Sequence, residues 1–289
     1  MVLLIDETLE RRRSKKIKAK GYYRDAVRSS QSQVVKAMGL KWQVMALSVK
    51  LPFMSRALAL PFLSVLEPSK KCDEAKKRRH KTSLKWASQM VLQVRRWAGR
   101  ARSLILVGYG GEKRIARVLS NTCMWGADGA TPIPIRWILV ADPTGKLDPL
   151  PLMSTDPLMT PERMIELFVD RWGLEVTFEE TREHLGVETQ RQWSDRAIAR
   201  STPVLMGLYS CVCLMANRLG QVDLLKIETT AWLQKERVAF SDMLRAVRIV
   251  IWRDNLISRK AKITPSMENI TPEMLSWADD IVRRVLQAA

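Results

Sequence analysis

Side chains that hold metals or form disulfides are scarce in this chain. Four cysteines (Cys72, Cys123, Cys211 and Cys213) and two histidines (His80 and His184) are all that its 289 residues supply. No CxxC or HxxxH spacing occurs among them, which argues against a zinc site or a disulfide framework and predicts a reducing, cytoplasmic setting. The opening MVLLIDE has neither a basic leader nor a long apolar stretch, so no signal peptide is expected. The most apolar run, Pro203 to Ala216, is shorter than the roughly 20 residues of a membrane span. It reads as a buried helix with Thr202 as N-cap and Pro203 at its first position, and no membrane partner is expected. GxxxxGK[ST] is absent too, so Gly110 and Gly111 read as a turn rather than a phosphate cradle. There is no internal repeat and no low-complexity linker.

Positive charge is what the chain has in excess. Lys plus Arg number 48 against 30 Asp plus Glu, a formal charge of +18 with a pI near 10.1, which favours a polyanionic partner, most simply nucleic acid. A hydrophobic content of 46% with 27% charged residues excludes a wholly disordered chain. Two basic runs stand out. One comprises Arg11, Arg12, Arg13, Lys15, Lys16, Lys18, Lys20 and Arg24, with Tyr22 and Tyr23 interleaved; the other runs from Lys76 to Lys85. Solvated surface is the usual fate of such runs, but their density favours phosphate contact, which gains affinity through counterion release without reading sequence.

Hydrophobic patterning predicts a mixed α/β chain. VLLI before Asp6, WQVMALSVKL from Trp42, ALPFLSVL from Ala59, SLILVG from Ser103, IRWILVAD from Ile135 and LPLMST from Leu150 read as strands. Leu84, Ala87, Met90, Val91, Val94 and Trp97 recur at helical spacing, predicting one long amphipathic helix from Asp73 to Trp97. A helix is expected near Glu112 to Leu119 and another from Thr160 with Pro161 at its first position. A helical region follows from about Asp195 to Trp252, with a last helix from Pro272 to Leu286.

The segment ELFVDRWGLEVTFEETREHLGVETQRQW carries the chemistry. Phe168, Arg171, Glu175 and Arg182 are spaced three, four and seven apart, so on a helix they share one face. An acid between fixed cations can hold a metal ion while the guanidinium groups grip phosphates. A salt-bridged solvent face would show the same spacing.

This spacing resembles the Tyr-x2-Arg-x3-Glu-x6-Lys signature of DDE transposases from bacterial insertion sequences of the insertion sequence 4 group, with Phe168 in the Tyr place and Arg182 in the Lys place. LLIDETLERRRSKKIKAKGYYRDAVRSSQSQVV, PIPIRWILVADP, HLGVETQRQWSDRAIARSTP and AFSDMLRAVRIVIW resemble further segments of such transposases in matching order. The resemblance implies an RNase H-like mixed sheet flanked by helices, a catalytic core over residues 1–194 and a helical C-terminal extension over 195–289 packed on it. It implies Asp6 (or Glu7, one residue along) as the first metal-binding acid and Glu175 as the third, holding Mg²⁺ or Mn²⁺. With this resemblance and the density of the first basic run, DNA contacts are expected from Phe168, Arg171, Arg182, Arg11, Arg12, Arg13, Lys15 and Lys16. The implied activity is DNA cleavage and strand transfer on the bacterial nucleoid, in a homo-oligomer or beside an intact transposase.

Two departures stand against that activity. Tyr109 occupies the place of the second acid, and a phenol is a poor ligand for a hard cation. Glu112, Asp128 or Asp142 would have to substitute, which catalytic geometry rarely tolerates. The passage from Leu119 to Trp125 reads as the scar of an internal deletion of a β-rich insertion, and the chain opens at its first catalytic strand. A catalytically impaired transposase is expected, the alternative being a non-catalytic DNA-binding or oligomerising remnant.

Overall fold

Strand β1 (Val2–Arg11) continues well beyond the apolar VLLI segment, into residues whose charges would ordinarily argue for a loop. In the computed structural model, residues 1–25, 28–29, 33–99, 102–107, 117–126, 131–142, 149–222, 224–227 and 235–263 are described, with side chains other than those of 117 and 254–263. β1 pairs antiparallel with β3 (Lys36–Val49), placing Asp6 opposite Val44. The far edge of β3 carries two antiparallel partners in turn, β2 (Gly21–Arg24) and β4 (Leu58–Glu67). On the other side β5 (Ile105–Val107) lies parallel to β1 and completes a five-stranded mixed sheet. Gly39 pairs with both Arg11 and Gly21, and a Cβ there would collide with the Glu10 carbonyl, so a glycine lets the strands close.

The α/β class is as expected, and several element boundaries are not. The long helix expected from Asp73 to Trp97 is two: α1 (Lys70–Ala75) and α2 (Ser83–Ala98). Between them Lys77 adopts φ 52° and Thr82 starts a new helix by accepting a bond from the Lys85 N–H. Lys76, Lys77, Arg78 and Arg79 would repel one another along a continuous helix, which favours a break there. α2 buries Met90 and Val94 against Leu3 and Met45, while Leu84 and Trp97 face solvent.

The helix expected near Glu112 to Leu119 gives way, over its described part, to β6 (Arg117–Trp125). β6, β7 (Ile133–Ala141) and β8 (Leu150–Ser154) form a second, antiparallel sheet in that order. Leu119–Trp125, where the sequence reading places an internal deletion, lies within a strand paired along β7 from Leu139 to Ile133. Cross-strand pairing, a non-local effect, decides this segment over its local helical spacing.

α3 (Pro161–Leu185) starts as expected, with Thr160 accepting from the Arg163 N–H and Pro161 in the first turn, and stops at Gly186 in the left-handed region at φ 78°. α4 (Asp195–Gln221) begins earlier than the apolar run suggested: Ser194 is its N-cap, and Thr202 and Pro203 lie inside it. Thr202 is buried and its hydroxyl is committed elsewhere, to Glu10, which overrides the capping role its sequence context predicts. α4 runs to Gln221, and α5 (Phe240–Ile263) follows later in the chain. The expected helix from Pro272 to Leu286 lies outside the described residues.

α3 and α4 cover the sheet together. Leu174 and Phe178 of α3 and Ile198 and Met206 of α4 join Leu4, Trp42 and Val44 in one apolar cluster, so residues on both sides of position 194 share a core. Farther along, Tyr209, Val212 and Cys213 of α4 meet Leu58 and Leu60 of β4 and Phe240, Met243 and Val247 of α5. α4 spans 27 residues with a mean hydropathy of 1.4 in its most apolar window, long and apolar enough to cross a membrane by length and composition, and a third of that window is buried in the fold. Each fully buried Leu, Ile or Val side chain contributes about 1.5–3 kcal/mol.

Candidate functional site

The site is where the middle of β1 faces the middle of α3. Thr177 sets the height of the helix, its buried hydroxyl donating to the carbonyls of Ala59 on β4 and Gly173 one turn back. Six residues before Thr177, Arg171 is 2% exposed. Its Nη1 donates to Asp6 Oδ2 at 2.6 Å and its Nη2 to Glu175 Oε1 at 2.6 Å. The two carboxylates that sequence reasoning put forward thus meet on one guanidinium, Asp6 reaching Arg171 across 165 positions of chain. Asp6 is the acid that reaches α3; its neighbour Glu7 turns instead to Lys41. Burial lifts the Asp6 carboxyl above its ordinary value, outweighing the opposing pull of Arg171.

These groups open into a cavity of about 690 Å³ whose walls include Asp6, Arg171, Glu175, Arg182, Arg11 and Tyr23. Arg11 donates from Nε to Asp25 Oδ2 at 2.9 Å and from Nη1 to Glu188 Oε2 at 3.2 Å. Asp25 is 2% exposed, and its bond from Arg11 holds its carboxyl below the ordinary range. Arg182 stands 3.6 Å from Glu188 and donates to the Thr8 hydroxyl at 3.4 Å. Burial pushes the Tyr23 phenol up to about 12. The walls are thus lined by charges of both signs, most of them already in ion pairs.

Several expected DNA contacts are placed elsewhere than the sequence suggested. Phe168 is buried and is not among the cavity walls, because the turn that carries it lies against the interior. Arg12, expected on the surface, is 6% exposed and donates from Nε to Glu10 Oε1 at 2.6 Å. Arg171, expected to clamp phosphate, is bound to Asp6 and Glu175. Arg13, Lys15 and Lys16 are exposed, as a phosphate-contacting run requires.

Glu10 is the residue that sequence reading missed. It is 1% exposed and accepts from Arg12 Nε, from Trp42 Nε1 at 2.7 Å and from the Thr202 hydroxyl at 2.7 Å. This network ties the end of β1 to β3 and α4, and Gln190 extends it by accepting from Arg12 Nη2 and donating to Thr202. Its one signal in the sequence is period two, since Thr8, Glu10 and Arg12 fall on the same inward face.

Carboxylate oxygens are the right donors for Mg²⁺ or Mn²⁺, and here one oxygen of Asp6 and one of Glu175 accept from Arg171. The second Asp6 oxygen, Oδ1, accepts from the Glu7 N–H at 2.8 Å. Among the described residues no group of three His, Cys, Asp or Glu side chains stands close enough to hold a metal. Tyr109, Glu112 and Asp128 lie outside the described residues, and Asp142, which follows β7, is not part of the cavity walls. No protein-family model matches this chain, and no curated protein is significantly similar to it.

Proposed function

We propose that this chain is the catalytic core of a DDE transposase of the insertion-sequence type, retained as a DNA-binding protein that does not cleave. The observation that carries the reading is the meeting of Asp6, at the centre of β1, with Glu175, on α3, in one cavity beside Arg171 and Arg182. The strand pattern supports it as well. An antiparallel β4-β3-β1 run with β5 added parallel to β1 is what an RNase H-like sheet requires. The β6–β8 sheet stands between β5 and α3, the interval in which the family carries its β-rich insertion, and reads as a short version of it.

Cleavage in such an enzyme uses paired divalent ions to activate the attacking oxygen and stabilise the leaving one. In this chain Arg171 bridges the two carboxylates and offsets one of their two negative charges, so it holds Asp6 and Glu175 in register across β1 and α3. The exposed basic residues Arg13, Lys15 and Lys16 supply the phosphate contacts.

The test is incubation of the purified chain with Mg²⁺ or Mn²⁺ and DNA bearing insertion-sequence ends, beside an intact transposase as positive control. Binding without strand cleavage is expected. Metal-dependent cutting that disappears in Glu175→Ala would overturn the non-catalytic part of the reading, and absence of DNA binding would overturn the whole of it.

A further inference from the structure

We infer that the surface around Trp193 is a base-stacking platform for unpaired DNA, distinct from the carboxylate cavity. The inference rests on the DNA-binding reading for its choice of DNA, and on separate residues for its geometry.

Three stretches distant in sequence converge there. The turn after β1 brings Arg13, Lys15 and Lys16, all exposed. The connection between α3 and α4 brings Arg191 and Trp193, with Arg196 in the first turn of α4. Lys16 Nζ lies 5.1 Å from the centroid of the Trp193 ring, joining the first two stretches. Lys76, from the second basic run, donates to Asp195 Oδ2 at 2.7 Å and joins the third. Lys76 thus brings one residue of the second basic run to the patch, and Asp195 is already paired with it.

Trp193 is what distinguishes this patch from a merely solvated basic face. It is 56% exposed, as are several other tryptophans of this chain to a similar degree, and it carries the Lys16 ammonium over its ring. Lys16 stands over the indole, and more than half of the Trp193 side chain faces solvent, where a nucleobase could stack. Cations that follow a phosphate backbone, combined with an aromatic on which a base can stack, are the pairing used to bind single strands without sequence preference. A base inside a duplex is already stacked on its neighbours and cannot use the ring, so the occupant is unpaired DNA. The patch adjoins the cavity through Glu188, which pairs with the cavity-wall residues Arg11 and Arg182 and lies five residues before Trp193.

Fluorescence anisotropy with the full chain tests this, using a labelled oligothymidylate, an abasic oligomer of equal length, a duplex and an oligouridylate. Trp193→Ala should weaken binding to oligothymidylate by about tenfold, within the range for loss of one stacked base, and leave abasic-oligomer and duplex binding within about twofold. Trp193→Phe should recover most of the loss. Circular dichroism and the unfolding midpoint establish that each variant is folded. Equal loss on the abasic oligomer, or no loss on oligothymidylate, overturns the platform. Selective loss on oligouridylate alone would make the occupant RNA and overturn the proposal as stated. Failure of duplex binding in the parent chain would count against the transposase reading but not against stacking, which the thymidylate and abasic arms measure independently.

Discussion

Asp6 and Arg171 form an ion pair at 2.6 Å that joins the centre of the first strand to the centre of α3, and the same guanidinium holds Glu175 on its other nitrogen. Removing the cation would leave two carboxylates facing each other in a partly buried cleft. Arg171→Ala should therefore cost about 3–5 kcal/mol of stability, the range for breaking a buried pair. Arg171→Lys should recover only part of this, since an ammonium lacks the planar fork that reaches both acids. Urea unfolding measures both; a cost below about 1 kcal/mol for the alanine variant would mean that the bridge does not hold β1 and α3 together.

Glu10 provides a second test of how β1 is held. Three donors converge on its carboxylate, so Glu10→Ala strands Arg12 and the Trp42 indole N–H in the interior. A loss of about 3–5 kcal/mol is expected. Thr202→Val removes one donor of three and should cost only about 1–2 kcal/mol. Equal effects of the two substitutions, read from chemical denaturation, would show that the network is not organised on Glu10.

How much of this was legible in the sequence depends on whether the deciding interaction is local. Thr160, Pro161 and the helical spacing of Arg171, Glu175 and Arg182 declare α3 within a few residues of one another, and α3 starts where they indicate. The register that brings Asp6 to α3 was suggested by resemblance alone, because it depends on a contact across 165 positions. The second half of β1 was illegible for a related reason: Glu10 and Arg12 look like surface residues until Trp42, Gln190 and Thr202 are placed around them. The same non-local effect hid β6, whose pairing with β7 cannot be read from its own residues. The basic runs were easy to see, but their division into buried Arg12 and exposed Arg13, Lys15 and Lys16 was not.

Acid should weaken the fold partly through Asp25. Arg11 holds the Asp25 carboxyl below its ordinary value of 3.8 in the folded chain. A depressed carboxylate contributes stability that is present in full above the unfolded value and is lost as pH falls through the lower folded value. Stability should thus decline as pH drops below about 4, and Asp25→Asn should be less stable at neutral pH while showing a shallower decline in that acid window. Unfolding midpoints measured from pH 6 to pH 2 provide the check. A decline equally steep in the asparagine variant would assign the acid sensitivity to other groups.

Burial predicts which cations respond to salt. Arg13, Lys15 and Lys16 are exposed on the turn after β1, whereas Arg12 is committed to Glu10 and Arg11 to Asp25 and Glu188. Each phosphate neutralised on duplex DNA adds roughly 0.9 to the slope of log affinity against log salt concentration. The triple variant Arg13→Ala, Lys15→Ala, Lys16→Ala should therefore reduce the slope by about 2–3 if all three residues contact phosphate. Arg12→Gln should destabilise the chain yet leave the slope of the still-folded protein unchanged, because its charge never faces the DNA. Anisotropy titrations on one duplex from about 50 to 200 mM salt separate the two outcomes. An unchanged slope in the triple variant would show that these exposed cations are solvated surface, and a reduced slope in Arg12→Gln would show that Arg12 leaves Glu10 to bind DNA.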